Sequence, residues 1–125
     1  MSHLNHNNSD LTHQSYSPFR GVGGSELFLV IDQSTSATKA LLFNQKGQLV
    51  ARVSEEHQQF YPQPGWVEHD PIEILENTYK AVEKLVRENI ADNDKIVSVA
   101  ITNQRETVLV WDKYTGKPVY NAVVW

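Results

Sequence analysis

The chain has 125 residues, of which 40% are hydrophobic, and it carries a formal net charge of −4 and no cysteine. This length and apolar content suit one modest domain with its own core, and the acidic balance argues against a nucleic-acid-binding surface. The lack of cysteine excludes a disulfide framework, a thiolate nucleophile and a thiolate metal site. No stretch approaches the roughly 18 apolar residues of a membrane-spanning helix, so we expect a cytoplasmic protein with no membrane partner.

The first 25 residues are rich in Asn, His and Ser and contain no apolar segment typical of a secretion signal. Because such a segment buries too little surface to order itself, we predict a disordered polar leader over 1–25 and a domain over 26–125. Three histidines lie in the leader: His3, His6 and His13. Scattered histidines in a polar leader are typically solvated, and we assign them no metal-binding role.

Three short strands are predicted after the leader. The continuously apolar run 27–32 (LFLVID) is typical of a strand buried on both faces. A loop of small hydroxyl residues follows at 33–39 (QSTSATK), and a second strand at 40–44. A turn with Gly47 available for positive φ leads into a third strand at 48–55. Together these elements predict an antiparallel meander.

One amphipathic helix is predicted after a Pro-Gly-rich connection at 61–71. Asp70 is placed as its N-cap, Pro71 as its first residue and Glu73 to complete a capping box. The stretch 92–94 (DND) ends it. Mostly apolar residues recur at helical spacing and predict the face that lies on the sheet: Ile74, Leu75, Thr78, Tyr79, Val82, Leu85, Val86 and Ile90.

Two further strands are predicted at 95–102 and 106–112, with a turn at 113–118. The first of them is most simply paired parallel to the strand at 27–32, across the helix crossover. The sequence then finishes on an apolar run up to Trp125. We therefore expect the opening part of a larger α/β domain.

The hydroxyl-rich loop is the first candidate site. Asp32 comes at the end of an apolar strand, where a carboxylate can hold Mg²⁺ directly or through water. The hydroxyls that follow, among them Ser34 and Thr35, are donors that phosphate oxygens accept, and Lys39 adds a positive charge. The stretch is not a Walker A loop, because it lacks GxxxxGK[ST]. An ordinary turn rich in Ser and Thr is the alternative that composition leaves open.

The polar break 103–106 (NQRE) between two apolar runs is the second candidate site. Arg105 offers a planar fork of donors and Glu106 offers two acceptor oxygens, which together match vicinal hydroxyls. A solvated surface ion pair is the alternative interpretation. Trp125 either presents an apolar face to a carbon backbone or lies in the core. His69 lies beside the helix cap and is assigned a structural role, not a catalytic one.

Three stretches in this order resemble the beginning of the glycerol kinase branch of the FGGY family of carbohydrate kinases. They are IDQSTSATKALLF, YPQPGWVEHDP and ITNQRETVLVWDKYTGKPVYNAVVW, and the likeness covers residues 27–125. The last is the specific one, because related xylulose and ribulose kinases carry other residues in place of NQRE. The resemblance implies an α/β protein of the ribonuclease H-like, actin-type ATPase fold, here the N-terminal portion of the first domain, with a mixed sheet and a crossover helix.

The resemblance also implies ATP-dependent phosphorylation of glycerol to glycerol 3-phosphate, with ATP/ADP and Mg²⁺ as cofactors. Asp32 would serve Mg²⁺ and the transferring phosphoryl group, while Arg105 and Glu106 would bind the glycerol hydroxyls. Trp125 would pack on the carbon chain of glycerol. The phosphates of the nucleotide would be contacted by Thr35, Ser36, the backbone at Ala37, and Lys39.

Two residues depart from the family pattern: Ser34 replaces the usual Gly, and Lys39 replaces a common Arg and so keeps the charge but loses bidentate geometry. The catalytic aspartate, the adenosine pocket and the second domain of the family correspond to sequence beyond Trp125. We therefore expect these 125 residues alone to lack kinase activity. Two alternatives stay open: an FGGY kinase for another polyol or a sugar such as a pentulose, and a non-catalytic truncated remnant. Homo-oligomerisation of the full-length protein also stays open.

Overall fold

A computed structural model describes residues 24–124. The main sheet of this range has the strand order β3-β2-β1-β5, and β4 and β6 form a separate two-stranded sheet. The predicted leader lies almost wholly outside the described residues, and so does Trp125. The elements in chain order are β1 (Glu26–Gln33), β2 (Ala37–Asn44), β3 (Leu49–Glu56), β4 (Glu68–His69), α1 (Pro71–Asn89), β5 (Lys95–Thr102) and β6 (Ala122–Val123).

The predicted meander and the crossover are both confirmed. β1 pairs antiparallel with β2, and β2 pairs antiparallel with β3. After the helix, β5 returns beside β1 in parallel orientation, with the bounds 95–102 that the sequence predicts. Gly47 adopts φ 71° and donates its backbone N–H to the Asn44 carbonyl oxygen at 2.9 Å, which closes the turn between β2 and β3.

The loop predicted at 33–39 is wrong in length. β1 runs to Gln33 and β2 begins at Ala37, so that only residues 34–36 lie between the two strands. The hydroxyl and the backbone N–H of Ser34 both donate to the Ala37 carbonyl oxygen, at 2.8 and 3.0 Å. The connection is therefore a tight hairpin, and Lys39 belongs to β2.

β1 is buried on one face only within the described residues, which corrects the prediction of a strand buried on both faces. Leu27, Leu29 and Ile31 are buried, whereas Phe28 is 37% exposed. The reason is that α1 packs on a single face of the sheet. The core between them consists of Leu27, Leu29, Ala40, Leu42, Val53, Ala81 and Leu85.

The start of the helix is confirmed, but the capping box is not formed. The Asp70 carboxylate accepts the Ile72 N–H at 2.8 Å, and Pro71 is the first helical residue. Glu73 does not reach back to the cap, because its carboxylate accepts the backbone N–H of Gln58 at 3.2 Å. The helix ends at Asn89, three residues before the predicted stop signal begins.

The buried face of α1 is rotated from the predicted face. Leu85 is buried as expected, but Leu75 and Tyr79 are 49% and 66% exposed. The buried face instead includes Ala81, which is small, and Asn77, whose Nδ2 donates to the Glu56 carbonyl oxygen at 2.9 Å. Within residues 24–124, no helix is long and apolar enough to cross a membrane.

The strand predicted at 106–112 is wrong. Only isolated bridges occur there, joining Val108 to Val123 and Trp111 to Pro118. The physical reason is a chain reversal directly after β5, where Glu106 adopts φ 60°. The apolar residues that follow therefore pair with the end of the described chain instead of joining the main sheet.

Candidate functional site

A cleft of about 530 Å³ lies at the ends of β1 and β5. Asp32 and Thr35 line it from the first hairpin, and Arg105 and Glu106 line it from the turn after β5. Because β1 and β5 are parallel neighbours, their C-terminal ends meet at one edge of the sheet, which is where α/β folds form binding crevices. The structure thus brings part of the first proposed site, Asp32 and Thr35, into one cleft with Arg105 and Glu106 of the second.

Asp32 is held by a neighbour on each side. Thr102 Oγ1 donates to Asp32 Oδ1 at 2.7 Å, and Lys39 Nζ donates to Oδ2 at 3.2 Å. The hydrogen bond from Thr102 and, less strongly, Lys39 hold the pKa of the Asp32 carboxyl below its ordinary range, although partial burial opposes them. The group is therefore an ionised carboxylate, suited to holding a cation and poorly suited to accepting a proton.

The register of the sheet creates this arrangement. Asp32 lies opposite Lys39 in the antiparallel ladder of β1 and β2, and opposite Thr102 in the parallel ladder of β1 and β5. Thr102 is a site residue that was not predicted from the sequence. It could have been found, because aligning the apolar runs 27–32 and 95–102 as parallel neighbours places Thr102 beside Asp32.

The hairpin residues divide into two groups. Thr35 lines the cleft, whereas Ser36, Ala37 and Lys39 are not among the residues that line it. Ser36 is exposed but its carbonyl oxygen accepts the His57 N–H at 2.9 Å, and Ala37 is buried. Lys39 reaches the cleft edge only through its ion pair with Asp32.

Ser34, which stands where the family resemblance implies a glycine, lines the cleft but has a hydroxyl that is already engaged. That hydroxyl donates to the Ala37 carbonyl oxygen at 2.8 Å, as part of the hairpin turn. The substitution therefore adds a side chain to the turn without leaving an unpaired donor at that position.

Arg105 and Glu106 are both exposed. Neither side chain forms an ion pair with another residue in the range 24–124, and the described ion pairs join Lys39 to Asp32 and Arg87 to two glutamates. The alternative of a mutual surface ion pair is therefore wrong for the described structure. The guanidinium fork and the carboxylate remain available to a ligand in the cleft.

A network of hydrogen-bonded polar side chains begins at Gln33, which lines the cleft, and continues into the protein. Thr38 Oγ1 donates to Gln33 Oε1 at 2.6 Å, and lies 3.0 Å from His57 Nε2. Because the single hydroxyl proton of Thr38 goes to Gln33, His57 must donate from Nε2, and its Nδ1 accepts from Asn77 Nδ2 at 3.1 Å. This pattern requires a neutral imidazole.

We expect the free energy of unfolding to decrease as the pH falls below about 6.5. Burial is the main cause that lowers the pKa of both His57 and His69 from the ordinary value of 6.5. The charge of His69 lowers the pKa of His57 further, and the carboxylate of Glu73 opposes the lowering at both rings. The unfolded chain therefore binds protons that the folded chain excludes, and each histidine contributes a slope of up to about 1.4 kcal/mol per pH unit in that window.

Urea denaturation of the 125-residue chain at pH values from about 7.5 down to about 5.5 measures this dependence. The His57→Gln variant, which lacks one of the two titrating rings, should show a shallower slope. A free energy of unfolding that stays constant across the window would contradict the neutral assignment of these imidazoles.

The family profile described as "FGGY family of carbohydrate kinases, N-terminal domain" matches residues 27–125. Glycerol kinase 1 of Thermotoga maritima is 58% identical over 97 residues, which cover 78% of this chain and 20% of that protein. The glycerol kinase of Haloarcula marismortui is 53% identical over 95 residues, which cover 76% of this chain and 19% of that protein. The chain thus spans about a fifth of the length of these curated relatives.

Solved structures agree with the sequence matches. The crystal structure of Plasmodium falciparum glycerol kinase with ADP matches at a TM-score of 0.75 and 41% identity, covering 85% of this chain and 21% of that one. The xylulose kinase of Rhodospirillum rubrum matches at a TM-score of 0.73 and 21% identity, over 79% of this chain and 20% of that one, which shows a shared fold alone. The expected ribonuclease H-like, actin-type fold is confirmed by these matches, and the chain belongs to the FGGY family of carbohydrate kinases.

Proposed function

We propose that this chain forms part of a kinase that transfers the γ-phosphoryl group of ATP to glycerol, giving glycerol 3-phosphate and ADP. The observation that carries the proposal is the cleft that Asp32 and Thr35 share with Arg105 and Glu106. Phosphoryl transfer depends on holding donor and acceptor together in one site. The two relatives at 58% and 53% identity are both glycerol kinases, which supports glycerol as the acceptor.

The hairpin side of the cleft is proposed to bind the phosphates. Hydroxyl groups of Thr35 and Ser36 and the backbone at Ala37 supply hydrogen-bond donors, and Lys39 supplies a positive charge. Ser36, Ala37 and Lys39 do not line the cleft. Their proposed contacts with the phosphates therefore require the hairpin to rearrange.

Asp32 is proposed to hold Mg²⁺ through water. No cluster of three or more metal-binding side chains occurs within residues 24–124, so a cage built from protein ligands is not formed there. A single ionised carboxylate nevertheless fits Mg²⁺, which keeps several waters and is commonly held by one or two carboxylates together with substrate phosphates. When bound, the ion neutralises charge on the phosphates and orients them.

The opposite side of the cleft is proposed to bind the acceptor. Arg105 donates to the glycerol hydroxyls and Glu106 accepts from them, and the ring of Trp125, outside the described residues, packs on the carbon chain. Asp32 is a poor base because its pKa is lowered. By the family resemblance, the group that accepts the hydroxyl proton corresponds to sequence beyond Trp125.

A chimeric enzyme tests this proposal. Residues 27–125 replace the matching segment of the Thermotoga maritima glycerol kinase 1, and a coupled assay measures ADP release with glycerol, D-xylulose or gluconate as acceptor. We expect kcat/KM for glycerol to exceed the values for D-xylulose and for gluconate by at least about tenfold. The 125-residue chain alone, assayed in parallel, should release no ADP.

Each alternative has its own outcome in this assay. A preference for D-xylulose or gluconate would favour an FGGY kinase for another acceptor. Loss of turnover with every acceptor, while the unmodified Thermotoga maritima enzyme is active, would favour a non-catalytic remnant.

A further inference from the structure

The turn after β5 has one side chain that points back into the protein. Asn103, Arg105 and Glu106 are exposed, whereas Gln104 is half-buried. Its Nε2 lies 3.1 Å from Nδ1 of His69, a residue of β4 that is 0% exposed. Gln104 therefore connects the turn that carries Arg105 and Glu106 to a buried residue of the fold.

The chemistry of the contact fixes its direction. The amide nitrogen of Gln104 can only donate, so Nδ1 of His69 accepts and the ring proton lies on Nε2. The Nε2 of the same ring is buried and has no hydrogen-bond partner among residues 24–124. His69 thus makes its one described side-chain hydrogen bond to Gln104 and takes no direct part in the cleft.

The backbone beside this contact needs external support. Glu106 adopts φ 60°, a conformation that a residue with a side chain adopts rarely and at a cost of order 1 kcal/mol or more. On the other side, the Val108 backbone pairs with Val123. Glu106 therefore lies between two contacts that restrain the backbone, the one from Gln104 to His69 and the one between Val108 and Val123.

The segment around Val123, which pairs with Val108, is itself attached to β4 and to the residue before it. Glu68, which is 2% exposed, accepts a hydrogen bond from Asn121 Nδ2 at 3.0 Å, and the Val124 N–H donates to the Val67 carbonyl oxygen at 2.9 Å. The strand that anchors Gln104 therefore also anchors the segment that leads to Trp125. Both stretches with a proposed acceptor contact are attached to one buried pair of residues.

We propose that His69 is a positioning residue that sets the geometry of the acceptor side of the cleft through Gln104. The part that concerns acceptor binding rests on the proposed function. The part that concerns the order of the turn rests on the contacts alone and is tested separately.

Two His69 variants separate hydrogen bonding from packing. In His69→Asn the side-chain oxygen takes the place of Nδ1 and can still accept from Gln104, whereas His69→Leu fills similar space without an acceptor. Gln104→Leu removes the donor at a half-buried turn position, and so serves if His69→Leu fails to fold. Val53→Ala, in β3 at the opposite edge of the sheet from β5, is the control for a simple loss of core packing.

Hydrogen exchange in the 125-residue chain tests the positioning of the turn without any activity. We expect the Val108 amide, which is the hydrogen-bonded N–H described in the segment 104–108, to exchange at least about tenfold faster in His69→Leu and Gln104→Leu, and at an unchanged rate in His69→Asn. Val53→Ala should not accelerate this segment selectively. Equal protection in all variants would overturn the proposal.

Kinetics in the chimeric enzyme test the consequence for the acceptor. We expect His69→Leu and Gln104→Leu to raise KM for glycerol about tenfold or more, because small displacements of positioning groups weaken binding strongly. KM for ATP should stay within about twofold, and His69→Asn should restore the KM for glycerol. If exchange is faster but KM for glycerol is unchanged in every variant, the role in acceptor binding is wrong. If the chimera is inactive with glycerol, D-xylulose and gluconate alike, the proposed function is wrong, and so is the role of His69 in acceptor binding. The hydrogen-exchange test of the order of the turn does not depend on that outcome.

Discussion

Replacing Arg105 with Ala in the chimeric enzyme should raise KM for glycerol about 10- to 100-fold and leave KM for ATP within about twofold. A hydrogen bond from a charged group contributes about 1.5–3 kcal/mol, and the guanidinium fork can make two with vicinal hydroxyls. Arg105 is exposed and has no ion-pair partner in the described range, so its removal leaves no buried charge behind. Steady-state kinetics with each substrate varied in turn give both constants.

Arg87→Ala is the matched control for this variant. Arg87 is also exposed, but it lies in α1 and pairs with Glu83 and Glu88 away from the cleft. Its removal should change neither KM. Equal losses of affinity for glycerol and ATP in Arg105→Ala would contradict the assignment of this residue to the acceptor.

Replacing Asp32 with Asn should lower kcat at least about 100-fold while KM for glycerol changes little. The substitution keeps the shape and an oxygen that can accept from Thr102, but it removes the negative charge that faces Lys39 at 3.2 Å. A group that holds Mg²⁺ and the transferring phosphoryl acts mainly on the chemical step, where charge stabilisation makes its largest contribution. Turnover should also require more Mg²⁺ for half-maximal rate.

Asp112→Asn provides the control for the loss of one carboxylate. Asp112 caps an exposed turn, where its Oδ1 accepts the N–H groups of Tyr114 and Thr115, and an Asn oxygen can do the same. This variant should keep the full kcat. If Asp32→Asn retained a similar kcat, the cation-holding role of Asp32 would be wrong.

The parts of the fold that follow from local pattern were predictable. The apolar runs place β1 and β5, and the Asp-Pro pair places the start of α1. Hydroxyl and Lys side chains at 37–39 resembled a loop, yet they belong to β2, because β2 pairs along its length with both β1 and β3. Composition cannot reveal such pairing.

The helix face was predicted only in part, since Leu85, Val82 and Ile90 pack on the core but Leu75 and Tyr79 do not, and the last predicted strand was wrong for a related reason. Periodicity weighs large apolar side chains, whereas the buried face includes Ala81 and a hydrogen-bonded Asn77. The apolar residues around Val108 suggested a strand of the main sheet, but the reversal at Glu106 sends them to pair with Val123. Both outcomes depend on long-range contacts.

The candidate site shows the same division. Asp32, Thr35, Arg105 and Glu106 were identifiable from residue type and from the family resemblance, and the parallel pairing of β1 and β5 explains why they meet. The contact between His69 and Gln104 joins residues 35 positions apart and leaves no mark in the local pattern.

A structure of the chimeric enzyme with ADP and glycerol bound tests most directly whether one cleft holds both substrates. We expect glycerol oxygens within hydrogen-bonding distance, about 2.7–3.2 Å, of Arg105 and Glu106, and the phosphates of ADP against the hairpin at Thr35. Glycerol or the phosphates bound elsewhere, with this cleft holding only solvent, would contradict the proposed function.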